Sequence, residues 1–226
     1  MRTSQILILS CLAALTACGG GGGGSSSPTP ANPDAVFQIW KLTTINEGES
    51  IEFDLTGTAK VYGQTEALTG SISGSRKPNE IVGGEEYIVA DLVLVVRITS
   101  QGTSISSSNT SYFMLDGTLV RIEEDDGVIC FPDTNYKDLP DSVKYGDSGN
   151  LGSASCTDGT SLTGAYRVEV SDRSNAWAAI RQYSTYSEPG IPDIFEDIVY
   201  HVTEDGQLKA IDIVAGDGEV SFDLSS

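Results

Sequence analysis

From Val36 onward, apolar and β-branched stretches of about 5–12 residues alternate with clusters of Gly, Asp, Asn and Ser, the pattern of strands joined by turns. The clearest stretch is Tyr87–Ile98. One row reads Ile88, Ala90, Leu92, Leu94, Val96, Ile98, all apolar; the other reads Tyr87, Val89, Asp91, Val93, Val95, Arg97, apolar with two charges. A strand with one dry face and one partly covered face belongs mid-sheet, and its Val and Ile content favours a strand over a helix. Two hairpins are legible. Tyr112–Leu115 meets Leu119–Ile122 across Asp116-Gly117-Thr118, and Ile198–Val202 meets Leu208–Val214 across Glu204-Asp205-Gly206. Asp-Gly turns match the twist of antiparallel strands.

The hairpins resemble copies. Gly117, Leu119 and Ile122 recur 89 positions later as Gly206, Leu208 and Ile211. Leu68-Thr69-Gly70 recurs as Leu162-Thr163-Gly164, and each is followed by a long strand, Tyr87–Ile98 and Trp177–Tyr186. The pattern therefore predicts an all-β body, an antiparallel meander of about 10–12 strands. It reads as two degenerate units of about 90 residues, roughly 50–128 and 146–216, forming a sandwich or a barrel. The joint falls in Cys130–Gly152, which contains Pro132 and Leu139-Pro140.

The start of the chain has a different character. Met1 and Arg2 precede an apolar run from Ile6 to Leu15 broken only by Ser10. That run is too short for a bilayer core, which needs about 20 residues, and suits the apolar part of a secretory signal. It ends in Leu15-Thr16-Ala17-Cys18, which resembles a bacterial lipobox. The resemblance covers about the first 33 residues. It implies that residues 1–17 are a lipoprotein signal peptide and that Cys18 becomes the lipidated N-terminus, with a thioether-linked diacylglycerol and an amide-linked chain of the palmitate class. The alternative is an ordinary cleaved signal with Cys18 incidental. Residues 18–33 then supply a tether: six Gly, three Ser and alternating Pro make a flexible coil stiffened at its far end. The glycines are not a phosphate loop, because no strand precedes them and no Lys-Ser/Thr follows. Residues 34–226 form the β-rich body.

With Cys11 in the signal and Cys18 under lipid, Cys130 and Cys156 remain. In an oxidising compartment they are expected to form one structural disulfide, since there is no CxxC pair and only one His for a metal site.

Charge narrows the partners. Thirty-two Asp and Glu against thirteen Lys and Arg give a formal charge of −19, which argues against nucleic acid because counterion release needs a basic face. Gly146-Asp147-Ser148-Gly149 resembles the nucleophile motif of trypsin-like serine proteases. In that family the His and Asp precede the Ser, whereas the sole His here, His201, follows it; a turn is the better reading. His201 itself is expected to be a packed or solvated strand residue. The acids of Glu123–Asp126, and Asp212, Asp217 and Glu219, raise calcium, but no segment follows the EF-hand order; Asp133-Thr134-Asn135-Tyr136-Lys137 places a Lys where an oxygen belongs. Trp40 and Trp177, with Tyr183 and Tyr186, are expected in the core.

These readings predict no catalytic residues, metal or cofactor, and no enzyme. They describe an exported, membrane-anchored envelope lipoprotein, most consistent with an outer membrane and its periplasmic or surface side, serving as a binding or interaction module. Its partners would be the membrane through Cys18 and an envelope protein or glycan of unread identity. The alternative is a periplasmic carrier of an apolar ligand held in a β-barrel cavity.

Overall fold

The computed structural model describes residues 34–38, 43, 45–137, 139–217 and 219–226. Cys18, the tether and Trp40 lie outside them. Fifteen strands follow in order: β1 (Val36–Gln38), β2 (Ser50–Val61), β3 (Gln64–Arg76), β4 (Glu80–Val82), β5 (Glu85–Ile98), β6 (Thr103–Phe113), β7 (Leu119–Glu124), β8 (Ile129–Pro132), β9 (Ser142–Lys144), β10 (Ser148–Cys156), β11 (Ser161–Val170), β12 (Ala178–Ser187), β13 (Ile194–Val202), β14 (Leu208–Gly216) and β15 (Val220–Ser225).

Twelve of them make a closed antiparallel barrel. The ladder runs β3-β2-β15-β14-β13-β12-β11-β10-β8-β7-β6-β5, and β5 pairs back onto β3. β4 hangs on the end of β5, and β9 leaves the ring to pair with β1. Closure removes the free edges that would otherwise need protection. It also settles barrel against sandwich.

Register shows which row faces inward. Leu94 on β5 sits opposite Ile72 on β3 and Ser107 on β6. Ile198 on β13 sits opposite Gln182 on β12 and Ile213 on β14. These rows hold the main apolar cluster of Leu55, Ile72, Leu94, Ile198, Ile213 and Leu224. The outer row of β2 is Glu52, Asp54, Thr56, Thr58, Lys60, side chains that a lipid-facing wall penalises. On this side the barrel is apolar within, and the outer row of β2 is polar. At Gly57 and Gly70 the wall bends so tightly that a Cβ would lie 1.8 Å from Asp223 O and 2.1 Å from Val95 O, so only glycine fits.

The two ends differ. At one end, the segment between β8 and β10 rises out of the wall, and β9 with β1 forms a lid. Phe37 and Val143 pack onto the inner residues Val168, Ala178, Ile180 and Val202, and Phe37 meets the Tyr145 ring edge-on at 4.7 Å. The opposite end is made of short turns: Tyr62-Gly63, Thr99–Gly102, Asp125–Val128, Thr157–Thr160, Glu188–Asp193 and the turn from Asp217 to Glu219.

Candidate functional site

The inner wall divides into two arcs. β13, β14, β15, β2, β3 and β5 line one with Leu, Ile, Val, Ala and Phe. The other, from β6 round to β12, brings buried Ser107, Asn109, Ser111, Glu124, Gln182 and Ser184 onto the inner row. Its disulfide also faces inward, since Cys130 sits opposite both Ile122 and Cys156.

Several of these polar groups are unsatisfied. Asn109 Oδ1, Ser111 Oγ, Glu124 Oε2 and both ends of the Gln182 amide have no hydrogen-bond partner, although Ser111 and Gln182 are 0% exposed. Each such group costs roughly 1–3 kcal/mol when left unmade. Folded proteins rarely tolerate several in one place unless something else completes them.

Glu124 is the sharpest case. It is 8% exposed. Its Oε1 lies 3.9 Å from Cys130 Sγ, but that sulfur is half of a disulfide and has no hydrogen to give. Burial, reinforced by the negative charges of Asp126, Asp158 and Asp125, pushes the carboxyl up to about 8. At neutral pH it is a neutral acid.

The turn end is hollowed out beside the apolar arc. An open cavity of about 360 Å³ lies there against Ala59, Val61, Glu66 and Ile98, with Tyr62, Gln64 and Gln101 at its border. Tyr62 and Gly63 both have positive φ, 47° and 80°, as a two-residue turn between Val61 and Gln64 demands. Among the described residues Tyr62 is the only non-glycine in that region, and its side chain is 76% exposed.

A second polar cluster sits on the outer wall. His201, 2% exposed, is covered by the loop from Ser171 to Trp177. Its Nδ1 lies 2.8 Å from Ser171 Oγ and its Nε2 2.9 Å from Asp212 Oδ2. Ser171 Oγ also accepts the Arg173 N–H at 3.0 Å. Arg173 also bonds Asp212. Burial alone would raise the Asp212 carboxyl, but the hydrogen bond and charge of His201, with Arg173, hold it below the ordinary carboxylate range. Nearby, Asp197 bonds Arg181 at 3.0 Å; burial outweighs the attraction of Arg181 and Arg167 and pushes its carboxyl up to about 6.

Of the residues singled out from the sequence, Cys130 and Cys156 are joined at an S–S distance of 2.03 Å, 26 positions apart. They pin β8 to β10 at the place where the chain leaves the ring to make the lid. Ser148 opens β10 as an exposed residue opposite Arg167, on a different strand from His201. Asp133 accepts the hydroxyls of Ser153 and Ser155, and Ser153 Oγ also lies 3.1 Å from Asn135 Oδ1. Among the described residues no group of three or more His, Cys, Asp or Glu side chains is placed to hold a metal ion. Trp177 is not in the core; it is 39% exposed because it closes the Ser171 loop, where its carbonyl accepts the Tyr145 hydroxyl at 2.9 Å. Sequence reasoning missed the unsatisfied inner groups: Asn109 and Ser111 lie in the polar run Ser106–Ser111, and Gln182 is a single polar residue in a predicted strand. It also treated His201 as isolated, since Ser171 reaches it only through the folded-back loop.

No family model, curated protein or solved structure matches this chain.

Proposed function

We propose that the protein is an exported, lipid-anchored binding module whose barrel contains a small amphipathic ligand. The observation that carries this reading is the unsatisfied set Asn109, Ser111, Glu124 and Gln182 on one arc of an inner wall whose other arc is apolar. Ligand pockets of mixed character, apolar with a few convergent polar groups, are the usual form for small-molecule sites. The lid on one end and the open hollow at the other support a container with one entrance. The anchor rests on the lipobox resemblance at Cys18, and replacing Cys18 with Ser should move the protein from the membrane fraction to the soluble one.

We read the Ser171–His201–Asp212 chain as a latch for the covering loop rather than a hydrolytic centre. Ser171 is buried beneath that loop, and its hydroxyl already takes part in two hydrogen bonds.

Native mass spectrometry of the full-length protein from its own cells tests the container. A non-covalent mass that leaves on gentle activation is the expected result. A bare mass in every preparation, together with no uptake of added amphiphiles, would overturn it.

A further inference from the structure

We infer that the lid end of the barrel rests on the lipid surface that carries the anchor. The tips of the β4–β5 hairpin and of the β6–β7 turn sit among the headgroups, and the hollow of the turn end faces away. The inference rests on reading Cys18 as a lipid anchor, and it names the surface by which the anchored body meets its membrane.

The first support is where apolar side chains are left exposed. Among the described residues nine large apolar side chains are exposed, and six of them are at the lid end: Val36, Ile81, Val82, Met114, Leu115 and Trp177. Tyr62 and Ile191 belong to the turns of the opposite end, and Phe131 lies on β8. Four of the six are neighbours. Ile81 and Val82 lead into the Gly83-Gly84 turn of the β4–β5 hairpin, which runs past the ring because the β3–β5 ladder ends at Ala90. The β5–β6 ladder reaches Ile88 and Phe113, so Met114 and Leu115 continue beside that hairpin. Ile81 is 75% exposed and Leu115 61%. Adjoining exposed apolar side chains at a rim mark a contact surface. On the lid, Val36 points outward between buried Ala35 and Phe37. Trp177 is of a residue type enriched where membrane meets water.

The second is how the acids beside these tips are held. Glu86 accepts the Asn79 side-chain amide at 2.8 Å, and Glu85 accepts the Tyr87 hydroxyl at 2.9 Å. Both partners lie nearer the ring than the Gly83-Gly84 turn, so the two carboxylates are drawn back from the tip. In the neighbouring turn Asp116 accepts the Thr118 N–H at 2.9 Å, leaving Met114 and Leu115 as its projecting side chains. The acids keep their charge, and like charges repel. A zwitterionic lipid face therefore suits this end better than an anionic one.

The third is the route of the chain. Asp34 leads directly into β1, and β1 is part of the lid, so the segment from Cys18 reaches the body at the lid end. Sixteen positions separate Cys18 from Asp34, and a fully extended chain of that length spans at most about 55 Å. Anchoring thus confines the apolar tips close to the bilayer, where a contact too weak to hold a free protein is made effective by local concentration. The turn end, at the far side of the barrel, is left open to the surrounding water.

The test places the full-length protein, purified from its own cells, in phosphatidylcholine vesicles with and without bromine on the acyl chains. A tryptophan reporter is introduced by Leu115→Trp at the lid end or by Ile191→Trp at the turn end, and its emission is taken as the difference from the wild type. Bromine should quench most of the emission added by Leu115→Trp and none of that added by Ile191→Trp. Adding Ile81→Asp, an exposed change that spares the fold, should abolish the quenching while the protein still floats with the vesicles. Replacing part of the phosphatidylcholine with anionic phosphatidylglycerol at low salt should reduce it. A protein that floats with the vesicles but shows no quenching of Leu115→Trp, or equal quenching of both reporters, overturns the docking and leaves the anchor. If the native chain carries no lipid on Cys18 and does not float, the anchor reading fails; the docking then stands if excess vesicles still quench Leu115→Trp and falls if they do not. Dimers of the Cys18→Ser chain that Ile81→Asp breaks, with Leu115→Trp unquenched, would assign the tips to a second copy and overturn the lipid surface.

Discussion

The β6–β7 and β13–β14 hairpins have the same backbone and opposite interiors. An offset of 89 positions superimposes their ladders pair for pair: Asn109–Glu124 on Ile198–Ile213, Ser111–Ile122 on Tyr200–Ile211, Tyr112–Arg121 on His201–Ala210. Both interrupt the ladder at the same place, between Tyr112 and Phe113 and between His201 and Val202. Both close their turns identically, with Met114 N to Thr118 O and Gly117 N to Met114 O matched by Thr203 N to Gln207 O and Gly206 N to Thr203 O. Yet the inner row of the first is Asn, Ser and Glu where the second has Ile, Tyr and Ile. Outside, Tyr112 with Glu123 answers to His201 with Asp212. Turn chemistry and bulge position therefore specify the hairpin, and the inner side chains are free to be exchanged for function. The second hairpin is core. The first is a wall kept polar at a cost to stability.

The largest expected effect follows from that cost. A carboxyl whose folded pKa is raised keeps its proton after the unfolded chain has released it, so stability falls as pH rises through that window and is flat above it. For Glu124 the window runs from the ordinary 4.5 to about 8, and the loss should reach on the order of 4–5 kcal/mol. Chemical denaturation of the protein between pH 5 and 8.5 should show this decline, and Glu124→Gln should remove most of it. Asp197, raised to about 6, adds a smaller decline confined to the acidic side. If the wild type and Glu124→Gln show parallel pH profiles, the acid is not buried as described. Taking the comparison further, Asn109→Ile with Glu124→Ile copies the second hairpin and should raise stability by about 2–4 kcal/mol while abolishing ligand uptake.

Next in size is the seam between the halves. β8 meets β10 through Cys130–Cys156, whereas β15 meets β2 by ladder bonds alone. Replacing both cysteines with Ser should cost roughly 2–4 kcal/mol in urea unfolding, or leave no difference if the reduced wild type is compared. His201→Ala should then cost about 2–3 kcal/mol, since it strands the buried Ser171 hydroxyl and part of Asp212. The matching Tyr112→Phe removes one hydroxyl bonded to a partly exposed Glu123 and should cost only about 0.5–1 kcal/mol. Acid should also separate the two hairpins. Asp212 is held low, so its contribution is present above the ordinary carboxylate range and lost as pH falls through its lowered value. Amide exchange of β13–β14 should accelerate there.

Much of this fold was legible because its signals are local. The clean inner row of Tyr87–Ile98 and the two Asp-Gly turns each sit within a few residues of sequence and appear where expected. The disulfide followed from arithmetic on four cysteines. Ring closure was not legible, since β3 skips β4 to pair with β5 and β15 returns to β2, choices made by packing across the interior. The polar arc was hidden for a different reason. Ser106-Ser107-Ser108-Asn109-Thr110-Ser111 has no apolar alternation, so period-2 reading cannot distinguish a lumen-facing strand from a loop. Ser171 and His201, 30 residues apart, meet only when the loop ending at Trp177 folds over the wall.

The pairing of β15 with β2 also governs when the barrel can exist. The ladders from β5 to β8 and from β10 to β14 join neighbours in sequence and can zip as soon as each hairpin has formed. The seal between Val220–Ser225 and Thr56–Val61 unites the last ring strand with the first, a contact of high sequence separation that forms slowly. A chain that becomes available amino end first, as in synthesis, therefore stays an open sheet until β15 emerges. Until then the edges of β2 and β14 are unpaired, and a chaperone that shields strand edges would find them exposed before closure and covered afterwards.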